Sequence, residues 1–256
     1  MTQEERKKIT EGYFDESVSG AAVCFLLAAL CFGIKFIPFQ YAPYFLWAGI
    51  AFSVLCVLLM IFGSKRITET QFDEALTEML DAVKLKSLQK AGIEEEELIS
   101  KQVLIRGPRY HDTSGVEFKS KKGKNKIWRY SLVDVTVLNL TANQIIAYQC
   151  CLDLIQEKPI NEITDEYFYK DVVSISTKTV SRTYTIAKGK RKGEKVSSTS
   201  AEIVSLTTSG GTSIDTTIRD PKLIELWGGK GGELPNTDAE IAIAAVRKVL
   251  REKKAA

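Results

Sequence analysis

Two long stretches without charged residues constrain the fold of this chain more than any other feature of its sequence. Eighteen uncharged residues separate Glu16 from Lys35, and twenty-nine separate Lys35 from Lys65. An α-helix needs about 20 apolar residues to cross the hydrocarbon core of a bilayer. The pattern therefore predicts a hairpin of two transmembrane helices within residues 18–63.

Two other interpretations compete with the membrane hairpin. A cleaved signal peptide would start with a short basic region, whereas the mixed-charge residues 1–17 precede the first stretch and a second stretch follows it. A helical hairpin buried in a soluble core is the other alternative. The lengths of both stretches favour the membrane hairpin.

Basic residues predict the orientation of the hairpin. Lys35 alone lies in the turn, and the basic residues outside the two stretches are Arg6, Lys7, Lys8, Lys65 and Arg66. Basic residues accumulate on the cytoplasmic side of membrane proteins. We therefore expect an integral protein of a bacterial inner membrane with both termini in the cytoplasm.

Small residues at four-residue spacing occur in both stretches. They are Ala29 with Gly33 and Gly49 with Ser53. Such pairs let transmembrane helices approach closely. They predict either packing of the two helices within one chain or self-association between chains.

A linking region, residues 64–126, follows the hairpin. Apolar residues at helical spacing predict an amphipathic helix over 68–91. A basic run comes later, and we take four of its members as candidates for contact with an anionic lipid surface: Lys119, Lys121, Lys122 and Lys124. The competing interpretation is a solvated hairpin tip.

From Trp128 onward the sequence has the pattern of β-strands. Apolar residues at both odd and even positions predict two long strands joined by a turn at 141–143. A further extended segment, rich in β-branched residues, is predicted over 167–186. A Gly210-Gly211 pair predicts a tight hairpin turn. The capping box at residues 237–240 predicts a final amphipathic helix.

Three parts of this pattern resemble a known family. They are VTVLNLTANQIIAY at 135–148, YFYKDVVSI at 167–175, and the Gly-Gly hairpin with the final helix. Together they resemble a bacterial pleckstrin-homology-like (PH-like) domain attached to a transmembrane hairpin. The resemblance implies a curved, partly open sheet plugged by the last helix, and a binding or scaffolding role. No phosphoinositide-binding motif is present, so headgroup specificity is not implied.

The predicted fold class is therefore α+β, with two transmembrane helices followed by a cytoplasmic antiparallel β domain. The β domain is a PH-like partly open barrel, capped by a C-terminal helix. We divide the chain into a cytoplasmic segment at 1–17, the transmembrane hairpin at 18–63, the linking region at 64–126 and the PH-like domain at 127–256.

A second basic cluster lies within the β domain. Its members are Lys188, Lys190, Arg191, Lys192 and Lys195. They are candidates for contact with a ligand or a membrane surface, although a solvated loop tip has the same composition. The cluster lacks aromatic residues for base stacking, so nucleic acid is not an expected partner.

The sequence offers no catalytic constellation. His111 is the only histidine, and it has no cysteine or carboxylate partners at metal-ligand spacing. A Ser-His or Cys-His nucleophile would depend on it alone. We therefore predict no enzymatic activity, no catalytic residue, no metal and no cofactor.

Two functional hypotheses follow from these observations. The first is a membrane-anchored interaction or scaffold module that presents its PH-like domain at the cytoplasmic membrane surface to bind a protein or lipid ligand. Its candidate surfaces are an exposed sheet edge and the two basic clusters. The second is a two-helix membrane effector that oligomerises into a pore or disrupts the bilayer. The expected partners are membrane lipids, a protein partner and further copies of the chain.

Overall fold

The computed structural model describes residues 1–15, 67–109, 116, 118–185, 195–211, 213–219 and 239–255. These residues form three α-helices, a short 3₁₀ helix and nine strands. The helices are α1 (Gln3–Phe14), α2 (Glu69–Ala91) and α3 (Ala239–Ala255), and the 3₁₀ helix is Glu95–Glu97. The strands are β1 (Val103–Pro108), β2 (Ser120–Lys122), β3 (Trp128–Tyr130), β4 (Leu132–Leu140), β5 (Gln144–Asp153), β6 (Lys158–Phe168), β7 (Val172–Thr185), β8 (Lys195–Thr208) and β9 (Ser213–Arg219).

A central antiparallel sheet has the strand order β1-β4-β5-β6. Nearly every residue of β4 and β5 is buried. Strands that are covered on both faces need apolar residues at successive positions rather than at alternate ones. That requirement explains why both parities of β4 are apolar. The predicted turn after β4 is confirmed, because the backbone N–H of Thr141 donates to the carbonyl oxygen of Gln144 at 3.0 Å.

Two different layers cover the central sheet. On one side, which we call the helical face, α1 and α2 pack on Val133, Val135 and Val137 of β4. On the other side, the sheet face, a second sheet with the order β7-β8-β9 packs together with α3. Leu138 and Leu140 point to this second layer. The central sheet therefore forms the middle layer of three.

Buried polar groups fix the position of α2 on the helical face. The Nε2 of Gln102 donates to Oδ1 of Asn139 at 2.7 Å, and the Nδ2 of Asn139 donates to Oγ of Ser87 at 3.2 Å. Asn139 is the second-last residue of β4 and is fully buried. A buried amide requires such partners, so the contact sets one register between helix and sheet.

The short hairpin of β2 and β3 attaches to the start of α2. Arg129 is buried, and its Nε and Nη2 donate to the two carboxylate oxygens of Asp73 at 2.8 and 2.6 Å. A two-point contact between guanidinium and carboxylate fixes both distance and orientation. The basic run at 119–126 is thus part of a folded hairpin rather than an isolated loop.

The end of α1 meets the residue that precedes α2. A Cβ atom on Gly12 would lie only 2.6 Å from Cδ1 of Ile67. The rings of Tyr13 and Phe14 pack on Phe72 of α2, with centroid distances of 4.6 and 5.4 Å. The described residues at the end of α1 and just before α2 therefore lie close together on the helical face.

The predicted fold class and localisation require correction. None of the described helices is long and apolar enough to cross a membrane. α1 and α3 have 12 and 17 residues, fewer than the about 20 that a bilayer requires. α2 has 23 residues, but its exposed positions carry many charged side chains. The described fold is a mostly antiparallel β domain with three helices. The prediction of an integral inner-membrane protein is corrected on the same finding, and residues 18–63, which carried it, lie outside the described residues.

Candidate binding site

Two of the predicted ligand-binding lysines hold the end of α1 instead. The Nζ of Lys121 donates to the backbone carbonyl oxygen of Tyr13 at 2.7 Å and lies 4.9 Å from the centre of its ring. The Nζ of Lys119 lies 3.5 Å from the carboxylate of Asp15. Cations at a helix C-terminus complement the helix dipole. These contacts explain both lysines without a ligand.

The other predicted site residues are spread over the chain. The backbone N–H of Lys124 donates to the carboxylate of Glu69 at 2.8 Å, which lowers the pKa of Glu69. Lys122 pairs with Trp128 in the β2–β3 hairpin, and Lys195 begins β8 opposite Thr185. The remaining candidates lie outside the described residues: Lys188, Lys190, Arg191, Lys192, Ala29, Gly33, Gly49 and Ser53. His111 also lies outside them.

A different surface, the outer edge of β6, has the properties of a binding site. β6 is the last strand of the central sheet, and no other described strand pairs with its free side. Of its 11 residues only Tyr167 is buried, and Ile163 is 51% exposed. The unpaired N–H and C=O groups of such an edge are a template for pairing with another chain.

A β-bulge marks where the open edge begins. Gln149 pairs with Ile163 and Cys151 with Ile160, so Asn161 and Glu162 together oppose a single residue of β5. Asn161 has the positive φ of 54° that such irregularities favour. Regular pairing with β5 continues from Ile163 to the end of β6. The open, regular part of the edge is therefore residues 163–168.

The bulge directs Glu162 toward the helical face. Its Oε2 accepts a hydrogen bond from the hydroxyl of Tyr148 at 2.7 Å, and its Oε1 accepts one from Nζ of Lys86 at 2.9 Å. Burial by itself would raise the pKa of Glu162, but these two hydrogen bonds, together with the positive charges of Lys86 and Lys90, leave the pKa below its usual value. The contacts tie the start of the open edge to α2.

The start of the free edge of the second sheet, by contrast, is contacted by α3. Lys254 of α3 donates to the backbone carbonyl oxygen of Val172 at the start of β7. Arg247 of the same helix donates through Nη2 to the carbonyl oxygen of Ile175 at 3.5 Å. Covering an edge with a helix is one way in which proteins prevent pairing with other chains. The backbone at the start of β7, from Val172 to Ile175, is therefore less available for pairing with another strand than the outer edge of β6.

A cleft of about 630 Å³ lies at the end of the open edge. It opens between the β6–β7 turn and the β8–β9 hairpin. Its lining residues are Asp165, Glu166, Tyr167, Phe168, Asp171, Thr208, Ser209, Gly210 and Ser213. The two turns are joined by a hydrogen bond of 2.8 Å from the N–H of Ser209 to the carbonyl oxygen of Asp171. The predicted Gly-Gly turn has its positive φ, 81°, at Gly211.

The cleft has an acidic and aromatic lining. Asp165, Glu166 and Asp171 contribute carboxylates, and none of the described residues that line the cleft is cationic. Phe168 is 49% exposed, and the Nζ of the neighbouring Lys170 lies 5.8 Å from the centre of its ring. Burial, followed by the charge of Asp165, raises the pKa of Tyr167 to about 12, so this phenol stays neutral at physiological pH.

Neither of the two described cysteines is a reactive thiol. Burial raises the pKa of Cys150 and of Cys151 to about 12, which leaves almost no thiolate at neutral pH. Within the described ranges, no group of three or more His, Cys, Asp or Glu side chains could hold a metal ion. The open β6 edge and the adjoining cleft are therefore the candidate functional site.

No protein-family model, curated protein or solved structure matches this chain. Function is therefore inferred from the residues and their geometry.

The sequence pattern did not predict β6 or the cleft. β6 is exposed on both faces, so its residues lack the alternation of apolar and polar positions by which a half-buried strand is recognised. The sequence predicted one extended segment from residue 167. In the structure this segment contains the end of β6, a turn and β7. One signal was present: Pro159 and three acidic residues within β6 are typical of an edge strand.

Proposed function

We propose that this protein is a non-enzymatic interaction module that binds a protein partner at the open edge of β6. The partner contributes an extended segment, which adds a strand to the central sheet. Main-chain hydrogen bonds supply affinity in this mode of recognition, and pockets for alternate side chains supply specificity. The observation that carries the proposal is the unpaired outer side of β6 from Ile163 to Phe168.

The arrangement of the strands supports a PH-like domain as the basis of the module. Seven strands form two antiparallel sheets, β1-β4-β5-β6 and β7-β8-β9, and α3 follows them in the chain. Val246 and Leu250 of α3 lie in the same core as both sheets. The proposed domain differs from a simple PH-like pattern because α1 and α2 cover its second face.

The length of the open edge suits a short peptide strand. Six residues at about 3.3 Å each give roughly 20 Å, which is an ordinary strand length. The bulge at Asn161 limits the edge at one end, and the cleft limits it at the other. A partner segment of similar length would therefore pair along 163–168 and reach the cleft with its end.

Charge favours a basic partner over a second copy of the chain. β6 carries Glu162, Asp165 and Glu166 against the single cation of Lys158. Two copies paired edge to edge would bring these carboxylates together, and like charges across a strand pair are destabilising. A segment with lysine or arginine residues would gain attraction at the same positions.

A lipid surface is less well supported than a protein partner. Lys119 and Lys121 contact α1, and the acidic β6 edge would be repelled by anionic headgroups. The membrane effector hypothesis depended on residues 18–63 as a membrane hairpin, and it is not carried forward.

Adjacent proline substitutions in β6 test the proposal. In an antiparallel pair, the N–H groups of neighbouring residues point alternately to the partner strand and away from it. Of the variants Ile163→Pro and Thr164→Pro, one therefore removes a hydrogen bond to β5 and the other removes only an outward N–H. The variant that keeps the melting temperature of the wild type is the edge-blocked protein.

Peptides selected from a random library on the full-length protein supply the binding measurement. We expect selected peptides to be rich in lysine and arginine and to bind the edge-blocked variant at least about tenfold more weakly. A photo-crosslinking residue at position 163 should label the peptide, whereas the same residue at Leu85, an exposed site on α2, should not. Equal binding to the blocked variant, or labelling from position 85 alone, would refute strand addition at β6.

A further inference from the structure

We infer that the cleft at the end of β6 binds the side chain of a lysine or arginine residue. The inference rests on the proposed function for the source of that side chain, which is the partner segment paired along residues 163–168. The feature that the cleft selects is the positive charge of that side chain. The β6 edge supplies main-chain contacts that any sequence can use, so selectivity must come from a neighbouring pocket.

The position of the cleft makes it continuous with the open edge. β6 contributes four successive residues to its wall, Asp165 to Phe168, and successive side chains of a strand point to opposite faces. The cleft therefore wraps around the end of the strand. A strand added beside 163–168 would extend one of its side chains into this space.

The charges of the lining favour a cation. Three acidic residues line the space: Asp165 and Glu166 on opposite faces of β6, and Asp171 in the β6–β7 turn. Gln144 donates through Nε2 to Oε2 of Glu166 at 3.0 Å. The hydroxyl groups of Ser209 and Ser213 add neutral acceptors. An ammonium or guanidinium group provides donors only, so it matches a lining of acceptors.

An aromatic ring in the cleft wall already contacts a cation of the chain itself. The Nζ of Lys170 lies 5.8 Å from the ring centre of Phe168, within the range of a cation–π interaction. Phe168 is half exposed, so a second cation can approach the same ring. This contact is independent of the carboxylates and points to the same class of ligand.

The walls of the cleft are held in shape without a ligand. The β6–β7 turn is closed by a hydrogen bond of 2.9 Å from the N–H of Asp171 to the carbonyl oxygen of Phe168. The β8–β9 turn is closed by one of 3.1 Å from the N–H of Gly211 to the carbonyl oxygen of Thr208. A pocket formed in advance binds a side chain with less loss of conformational freedom.

Capped amino acids test the cleft without a partner strand. The probes are N-acetyl-lysine methylamide and N-acetyl-arginine methylamide, titrated into isotope-labelled full-length protein and followed by NMR. We expect saturable shifts of the backbone amides of Phe168, Asp171, Ser209 and Gly210, with dissociation constants on the order of 1 mM. N-acetyl-norleucine methylamide, which has the same stem without the charge, should produce no saturable shift.

A matched pair of variants separates the cleft from general negative charge. The double variant Asp165→Asn with Asp171→Asn removes two lining charges at nearly constant size, and it should weaken lysine binding about tenfold or more. Asp81→Asn removes an exposed carboxylate of α2 and should leave binding unchanged. Equal shifts with norleucine, no saturable shift, or unchanged binding by the double variant would overturn the inference.

The outcomes for the cleft and for the edge are distinguishable. Binding of capped lysine together with a failed edge-block experiment would support the cleft and refute strand addition. Loss of peptide binding in the edge-blocked variant, without any response to capped lysine, would support strand addition and refute the cleft as a cation pocket.

Discussion

The two faces of the central sheet are covered by different means. The helical face carries buried polar contacts, including Asn139 with Gln102 and Ser87, and Arg129 with Asp73. The core of the sheet face is made mainly of apolar side chains from both sheets and α3, and its buried Thr136 accepts a hydrogen bond from Gln149 of the same sheet. Hydrophobic burial is non-directional, whereas a buried hydrogen bond is satisfied in one arrangement only. The helices are thus placed by specific contacts, and the second sheet mainly by its shape.

Removing a buried aromatic ring from the helical face should have the largest effect. Phe72 is 1% exposed and packs against Tyr13 and Phe14. We expect Phe72→Ala to lower the free energy of unfolding by about 3–5 kcal/mol, because it removes a buried ring and leaves a cavity. Urea denaturation followed by circular dichroism measures the change.

Leu85 provides the control on the same helix. Its side chain is 61% exposed, so Leu85→Ala should change the free energy of unfolding by less than about 0.5 kcal/mol. Comparable losses for the two variants would mean that the packing of α2 on the sheet does not stabilise the fold.

Two neighbouring residues of β4 compare the faces directly. Leu140 points to the sheet face and Asn139 to the helical face, and both are fully buried. Leu140→Ala should cost about 2–5 kcal/mol through lost burial and a cavity. Asn139→Ala should cost about 1–3 kcal/mol, because it removes two buried hydrogen bonds, with Gln102 and Ser87. Urea denaturation measures both changes. If Asn139→Ala lowered the free energy of unfolding more than Leu140→Ala, the contact on the helical face would contribute more to stability than the one on the sheet face.

The contact between α2 and the β6 bulge should depend on pH. Glu162 has a pKa below its usual value in the folded protein, so its contribution is present above its unfolded pKa and is lost as the pH falls through the folded one. Tyr148→Phe should therefore cost about 1 kcal/mol near neutral pH and less at about pH 3. The test is to measure the denaturation midpoints of the wild type and of Tyr148→Phe over this pH range. A stability difference between the two proteins that does not change with pH would count against the Glu162 contact.

Adjacent cysteines can report on the two faces without altering stability. Cys150 packs in the helical-face core, whereas Cys151 points to the other side of β5. Both thiols have pKa values raised to about 12 and should resist alkylation in the native protein. In Phe72→Ala, peptide mass spectrometry should find faster labelling of Cys150 than of Cys151 at low urea. Equal acceleration at both would show that the faces open together.

Elements with strong local signals were predictable from sequence. The periodicity from Phe72 to Leu88 predicted α2, and the observed helix begins at Glu69 behind a Thr68 capping box and ends at Gly92 with a φ of 65°. The β4–β5 hairpin and the Gly-Gly turn were predicted for similar reasons. In each case the structure-forming residues lie close together in the chain.

Elements stabilised by distant partners were not predictable. α1 buries only Thr10, Tyr13 and Phe14, all near one end, so its sequence shows little helical periodicity. β6 shows no alternation. The candidate site also combines segments that are far apart in the sequence, because the cleft lies between the end of β6 and the β8–β9 hairpin about 40 residues later. The basic clusters were conspicuous in composition, but the side chains of Lys119 and Lys121 contact the end of α1.

The contact between Arg6 and Glu157 has a consequence for the order of events during synthesis. The two residues are 151 positions apart, and Nε of Arg6 donates to Oε1 of Glu157 at 2.9 Å. At about 5–20 residues per second, the ribosome needs roughly 8–30 s to reach Glu157 after Arg6. Until β4 and β5 are made, Tyr13 and Phe14 can pack on Phe72 of α2 but lack the rest of the core that buries them. α1 is thus among the last of the described helices to complete its docking, although it precedes the others in the chain, and its aromatic end is open to chaperones while β4 and β5 are being made.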